Sequence, residues 1–203
     1  KPVIVATQMI KSMVDSPVPT RAEVSDITLA VLQKTDALML SEESSVGKYP
    51  ELAIESMARI AKHNERTNFL DERIASIIES QQDTIVNAAN EILKHNIEDT
   101  PVKAVMVFTV SGRTARSLSR LRPNTPIYAF TNLDRTCGTL ALSKGVHALK
   151  MEISYDPVKN IQYAIDVLKH KSVLQSGDTV LIIFGEKIGV SEHNNTITLQ
   201  QVA

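Results

Sequence analysis

Val3-Ile4-Val5-Ala6-Thr7-Gln8-Met9 is followed by Pro19-Thr20-Arg21-Ala22-Glu23 and then by Asp36-Ala37-Leu38-Met39-Leu40-Ser41-Glu42-Glu43. Two short apolar runs each end on oxygen-bearing side chains, and a segment with helical spacing separates them. A barrel of parallel strands presents its chemistry at its carboxyl edge in this way. In such a unit Thr7 ends one strand while Ser41 and Glu43 end the next, so two hydroxyls and a carboxylate are directed toward one spot. Groups of this kind order a water or relay a proton when they lie within hydrogen-bond reach. Spacing alone leaves a second reading open, because Thr and Ser after strands also cap the following helix and Glu in a loop is commonly solvated.

The motifs around these residues narrow the choice. Lys1-Pro2-Val3-Ile4-Val5-Ala6-Thr7-Gln8-Met9, Ser12-Met13, Pro19-Thr20-Arg21-Ala22-Glu23, Ser25-Asp26, Met39-Leu40-Ser41, Glu43 and Gly47-Lys48-Tyr49-Pro50 together resemble the last two strand-helix units of the pyruvate kinase family. Their order and spacing match without a gap, and the resemblance continues through the rest of the chain. It implies an α/β fold: the incomplete end of a TIM (β/α)8 barrel over residues 1–67, then a three-layer α/β/α domain with a mostly parallel sheet over residues 68–203. The second region corresponds to the family's C-terminal allosteric, effector-binding domain.

Composition agrees with part of a soluble enzyme. The chain has 203 residues, 43% hydrophobic and 22% charged, enough for one ordinary core or for a domain plus part of another. A net charge of -1 gives no electrostatic reason to expect nucleic acid or an anionic membrane as partner. The longest apolar runs, such as Val180-Leu181-Ile182-Ile183-Phe184, fall far short of the about 20 residues a spanning helix needs. The single Cys137 cannot form an internal disulfide and suits a reducing compartment, here the cytoplasm. On its helix it reads as a small packing residue rather than a nucleophile. A start at Lys1, with neither initiator Met nor signal peptide, reads as an amino end removed or never included.

Periodicity divides the chain near residues 67–80. Before it, Ser25 to Lys34 and Pro50 to Lys62 carry apolar positions at helical spacing, with Pro50 suited to a first helical turn. His63-Asn64-Glu65-Arg66-Thr67 reads as a polar connector. After it, helices are expected over Asp83–His95, Thr114–Leu121, Asp134–Leu142 and Pro157–Lys171. Strands are expected at Ala104–Thr109, Ile127–Thr131, Val146–Met151, Thr179–Gly185 and Thr196–Val202. Strands separated by helices imply a mostly parallel sheet covered on both faces.

A second chemical candidate is Thr109-Val110-Ser111-Gly112-Arg113-Thr114. It follows an apolar strand and opens a helix, so its hydroxyls, backbone N–H groups and Arg113 are placed to converge on a phosphate, aided by the helix dipole. The alternative is that Ser111 or Thr114 caps the helix and Gly112 relieves a tight turn. By resemblance, Thr109, Ser111, Gly112, Arg113 and Thr114 match the loop that holds a phosphate of the family's allosteric effector. Val110 occupies a position that is often basic.

The loop over residues 185–196 departs from the form that best binds fructose 1,6-bisphosphate. Its expected effector contacts are Lys187, Gly189 and Ser191. Glu186 and Glu192 put negative charge where a second phosphate wants cations, opposed only by Lys187 and His193. A monophosphate effector, such as a sugar monophosphate or AMP, is therefore expected over a bisphosphate.

The resemblance further implies phosphoryl transfer from phosphoenolpyruvate to ADP, then protonation of the enolate to pyruvate, with Mg2+ and K+ as cofactors. The metal ligands and the lysine that stabilises the transferred group are expected to lie before Lys1, so residues 1–203 alone are expected to be catalytically incomplete. Thr7, Ser41 and Glu43 are the implied catalytic residues, binding a water network that delivers the proton. Arg21 is the implied subunit-interface residue of a homotetramer. Glu42 departs from the family pattern, which has Gly there; a side chain is tolerated if the backbone angle is negative. The five histidines share no metal-ligand spacing, and the methionines read as core filling. Two other classes remain: a stand-alone phosphometabolite-binding regulatory module, and an oligomerisation domain. A pure effector module would not need residues 1–67, whereas by resemblance the oligomerisation domain assembles through helices of both regions.

Overall fold

The computed structural model describes residues 2–65, 81–95, 101–185 and 194–203. Contacts divide the chain into two compact units, Lys1–Arg73 and Ile74–Ala203.

The first unit runs β1 (Ile4–Val5), α1 (Arg21–Leu32), β2 (Ala37–Leu38), α2 (Glu42–Ser45) and α3 (Pro50–Glu65), with a single 3-10 turn over Lys11–Val14. β1 and β2 are parallel, with Ile4 opposite Ala37 and Val5 opposite Leu38. Helix α1 starts at Arg21 because Thr20 and Glu23 form a reciprocal capping box, which satisfies two orphan donors of the first turn. Its residues Ile27, Ala30 and Val31 are buried with Met9, Ile10, Met13 and Ala53 in one core. Val3, Ile4 and Met39 remain 56%, 46% and 45% exposed. Two parallel strands with apolar side chains showing on them are what a segment of a larger barrel presents.

One expectation is corrected here. His63, Asn64 and Glu65 do not form a connector but complete α3. The Asn64 side-chain amide donates to the Ile60 carbonyl at 2.8 Å and to the Thr28 hydroxyl at 3.0 Å, so a polar residue here ties α3 to α1 instead of ending it. Arg66 and Thr67 lie outside the described residues.

The second unit runs α4 (Gln81–Lys94), β3 (Val102–Phe108), α5 (Arg113–Arg120), β4 (Ile127–Thr131), α6 (Asp134–Leu140), β5 (Val146–Lys150), α7 (Pro157–His170), β6 (Thr179–Phe184) and β7 (Thr196–Gln201). Its five strands lie in the order β5-β4-β3-β6-β7. All neighbours are parallel except β6 and β7. The central strands are apolar almost throughout because both faces are covered. Val105 and Val107 pack with residues of α4, α5 and α6 on one face, while Ala104, Met106 and Phe108 pack with Ala164, Ile165 and Leu168 of α7 on the other. This is the expected three-layer arrangement.

Strand order reverses at β3: β4 and β5 extend to one side, β6 and β7 to the other. The crevice outside the carboxyl ends of β3 and β6 is therefore the topological switch point, where open α/β sheets bind ligands.

Candidate functional site

The first site is built at the carboxyl ends of β1 and β2. Past Val5 the chain does not continue as a strand: Thr7 has φ 68° and Gln8 φ 52°. Two successive non-glycine residues in the left-handed region cost about 1–3 kcal/mol each, and such strain persists only where the surroundings over-determine it. For a β-branched residue such as Thr7 the conformation is a genuine outlier.

The surroundings that enforce it are visible. Met9 and Ile10 are 4% and 0% exposed, so their side chains anchor the chain just beyond the strained pair. The Ile10 N–H donates to Glu43 Oε1 at 3.3 Å, and the Ser41 N–H donates to Glu43 Oε2 at 2.8 Å. One carboxylate thereby clips the loop after β1 to the loop after β2. Hydrogen bonds to a charged acceptor contribute about 1.5–3 kcal/mol each, enough to offset the strain of the left-handed pair.

Glu43 itself is 2% exposed. Burial pushes its carboxyl pKa up, but the backbone N–H groups of Ser41, Glu43 and Ile10 outweigh this and hold it below the ordinary value. Ionised Glu43 is thus an acceptor already engaged by both loops, which makes it a strut as well as a candidate member of a proton network. Gly47 is required beside it, because a Cβ there would meet the Glu43 carbonyl oxygen at 2.5 Å.

The hydroxyls behave differently. Ser41 occupies the N-cap position of α2, yet its side chain makes no capping bond, so the capping alternative does not describe it. Among the described residues neither the Thr7 nor the Ser41 hydroxyl enters an internal hydrogen bond. Thr7 is exposed and Ser41 half-buried. The fold therefore brings two uncommitted hydroxyls to one edge of a parallel pair and ties down the carboxylate between their loops. Glu42 has no positive φ, so its side chain is sterically tolerated where glycine was expected. It lies 3.7 Å from Lys11 Nζ across an exposed ion pair.

Arg21 is the exposed first residue of α1. A cation there opposes the helix dipole, so helix stability does not explain its presence.

Glu23 accepts from the N–H and hydroxyl of both Ser12 and Thr20. Burial raises its pKa, but these hydrogen bonds more than reverse that and leave it lowered from the ordinary 4.5. Glu23 and Glu43 share a sign. With folded pKa values below the unfolded ones, the stability they contribute is present above about pH 4.5 and is lost as pH falls through the lowered folded values. The stability deficit of Glu23→Gln, read from urea midpoints, is accordingly expected to be largest near pH 7 and to shrink below pH 4.5. A deficit constant from pH 7 to pH 3 would contradict this.

The second candidate lies in the turn between β3 and α5, at the switch point. Gly112 has φ 76°, and a Cβ there would meet Leu140 at 3.1 Å and Thr136 at 3.2 Å. Conformation and space both demand glycine. The Thr109 hydroxyl accepts from the Gly112 N–H at 3.0 Å, and the Thr136 hydroxyl donates to the Val110 carbonyl at 2.7 Å. Thr109 and Thr114 are 8% and 1% exposed, and Thr114 Oγ1 accepts from the Asn194 amide at 2.9 Å. The structure thus separates the predicted set. Thr109, Gly112 and Thr114 build the buried side of the turn, whereas exposed Ser111, whose hydroxyl accepts from the Arg113 N–H at 3.4 Å, and half-buried Arg113 stand nearer solvent beside the first turn of α5.

Lys187, Gly189 and Ser191, with Glu186, Glu192 and His193, lie outside the described residues. Asn194 was not singled out from sequence. Its side chain also donates to the Phe108 carbonyl at 3.1 Å, fastening the start of β7 to the end of β3 over 86 positions of sequence. No local signal announces such a link.

The matches to known proteins follow this division. The family model described as pyruvate kinase, barrel domain, matches residues 1–54, and that described as pyruvate kinase, alpha/beta domain, matches residues 76–200. A pyruvate kinase of Thermococcus litoralis is 37% identical over 100% of this chain and 42% of its own length. Pyruvate kinase II of Salmonella typhimurium is 35% identical over 98% of this chain and 42% of its own. The crystal structure of a pyruvate kinase from Cryptosporidium parvum superposes with a TM-score of 0.84 at 28% identity, covering 100% of this chain and 40% of that one. The chain spans about two fifths of the length of these relatives.

Proposed function

Because the chain belongs to the pyruvate kinase family, we propose that residues 1–67 supply the proton-handling wall of a pyruvate kinase active site and residues 68–203 its effector-binding domain. The whole protein transfers a phosphoryl group from phosphoenolpyruvate to ADP in glycolysis, in the cytoplasm, as a homotetramer with Arg21 at a subunit interface. The carrying observation is the pair of uncommitted hydroxyls, Thr7 and Ser41, at the edge of adjacent strands whose loops Glu43 clips together.

Once the phosphoryl group leaves, the enolate of pyruvate needs a proton at its methylene carbon. The net proton comes from bulk solvent: it enters through a water held by Ser41, that water passes a proton to the Thr7 oxygen as the Thr7 hydroxyl gives its own to the enolate carbon, and Glu43 keeps both loops in place as a hydrogen-bond acceptor. Proton transfer requires each partner to act within hydrogen-bond reach. The family's reaction draws on Mg2+ and K+. Among the described residues no cluster of three or more His, Cys, Asp or Glu side chains offers a metal site. Nor is any described helix long and apolar enough to cross a membrane.

In the second unit, Ser111, Arg113 and the first turn of α5 receive one phosphate of the effector at the switch point. The acidic Glu186 and Glu192 disfavour a second. Calorimetric titration of the full-length protein is expected to show AMP or a sugar monophosphate binding at least about tenfold tighter than fructose 1,6-bisphosphate, a difference of about 1.4 kcal/mol. Much tighter binding of the bisphosphate would refute this. A stand-alone regulatory module would have no use for the segment 1–54 that matches the barrel domain.

A further inference from the structure

Glu23 sits in the first turn of α1, outside the Thr7, Ser41 and Glu43 set. Its capping duty is met by Thr20: the Thr20 N–H and hydroxyl both donate to Glu23 Oε2 at 2.8 Å, and the Glu23 N–H donates back to Thr20 Oγ1 at 3.3 Å. Two further bonds are surplus to capping. The Ser12 N–H donates to Oε1 at 2.7 Å and the Ser12 hydroxyl to Oε2, reaching 11 residues back to the loop that leaves β1.

That loop is held at two neighbouring points. Glu43 takes the N–H of Ile10 and Glu23 the N–H of Ser12, and between them the 3-10 turn begins, with the Met13 N–H donating to the Ile10 carbonyl at 2.9 Å. Thr7 and Gln8 are the residues that must span from β1 to this clamped turn, and they do so in the left-handed region. The two carboxylates also sense one another, since the charge of Glu23 disfavours ionisation of Glu43. A charge-assisted strap of this kind fixes geometry as well as stability.

We infer that Glu23 is a positioning residue for the active site, holding the Ser12 turn so that the strained Thr7–Gln8 step aims the Thr7 hydroxyl at the enolate carbon. The inference rests on the role proposed above for Thr7.

The test uses the full-length protein with Glu23→Gln, which keeps the shape but turns a donor toward Ser12 and Thr20, and Thr20→Ala, which weakens the cap and leaves the Ser12 contacts. Glu23→Gln is expected to lower kcat by about tenfold to a hundredfold, the scale of a misaimed catalytic group, with the KM for phosphoenolpyruvate within about threefold. Thr20→Ala is expected to lower Tm but leave kcat within about twofold. Amide hydrogen exchange supplies a readout independent of activity: exchange at Ile10 and Ser12 should accelerate in Glu23→Gln and not in Thr20→Ala.

If Glu23→Gln fails to fold, Ser12→Ala removes one strap bond alone and should still lower kcat with KM unchanged. Equal kcat loss in Glu23→Gln and Thr20→Ala, or unchanged exchange at residues 10 and 12, would overturn the inference. An unsubstituted protein that does not phosphorylate ADP from phosphoenolpyruvate would instead defeat the proposed function, while the exchange comparison would still decide whether Glu23 holds the turn.

Discussion

Glu43→Gln in the full-length protein is expected to lower turnover by about a hundredfold and to lower thermal stability as well, because the isosteric amide cannot accept from both loops. The carboxylate is 2% exposed and takes the N–H of Ile10 on one oxygen and of Ser41 on the other. In glutamine one of those positions becomes an NH2 facing an N–H. A buried donor left without an acceptor costs about 1–3 kcal/mol. The loop after β1 or the loop after β2 must then yield, and each carries one of the uncommitted hydroxyls. Steady-state kinetics with a parallel melting curve checks the result. Turnover within about twofold of the unsubstituted protein would show that Glu43 does not hold the site together.

Thr7→Val is expected to reduce kcat by about 10²–10⁴-fold, the usual contribution of a positioned acid or base, with little change in KM for phosphoenolpyruvate. The substitution isolates the hydroxyl. Valine has nearly the same shape and the same β-branched resistance to positive φ, so the backbone strain at φ 68° is retained. Since the Thr7 hydroxyl makes no internal hydrogen bond among the described residues, Tm should move little. A large loss of Tm with kcat unchanged would mean that the residue is structural.

Much of the second unit was legible in the sequence because its signals are local. Ile127–Thr131 and the strand starting at Thr179 are apolar runs bounded by turn residues, and the structure begins both where the pattern does. Helix α7 opens at Pro157 behind Asp156, whose side chain accepts from the Val158 N–H at 3.0 Å, a start signal readable from residue types alone. The order β5-β4-β3-β6-β7 was not readable in this way, since no local pattern says on which side of β3 the strand β6 will pair.

The first unit was legible as a set of motifs more than as geometry. Thr7, Ser41 and Glu43 were picked out, but nothing in Ala6-Thr7-Gln8-Met9 announces a left-handed pair, and β-branched Thr7 argues against one. Its cause lies in Glu43, 33 positions beyond the Ile10 N–H that it holds. The polar run 63–65 misled for a similar reason: Asn64 is helical because it bonds to Thr28 on α1, a partner that periodicity does not see.

The most direct measurement follows the proton. In deuterium oxide the full-length protein, supplied with pyruvate, is expected to exchange the methyl protons of pyruvate for deuterium, read by proton NMR. Thr7→Val should slow that exchange by about a hundredfold. Exchange by Thr7→Val at the unsubstituted rate would contradict the claim that the oxygens at the tips of β1 and β2 handle the proton.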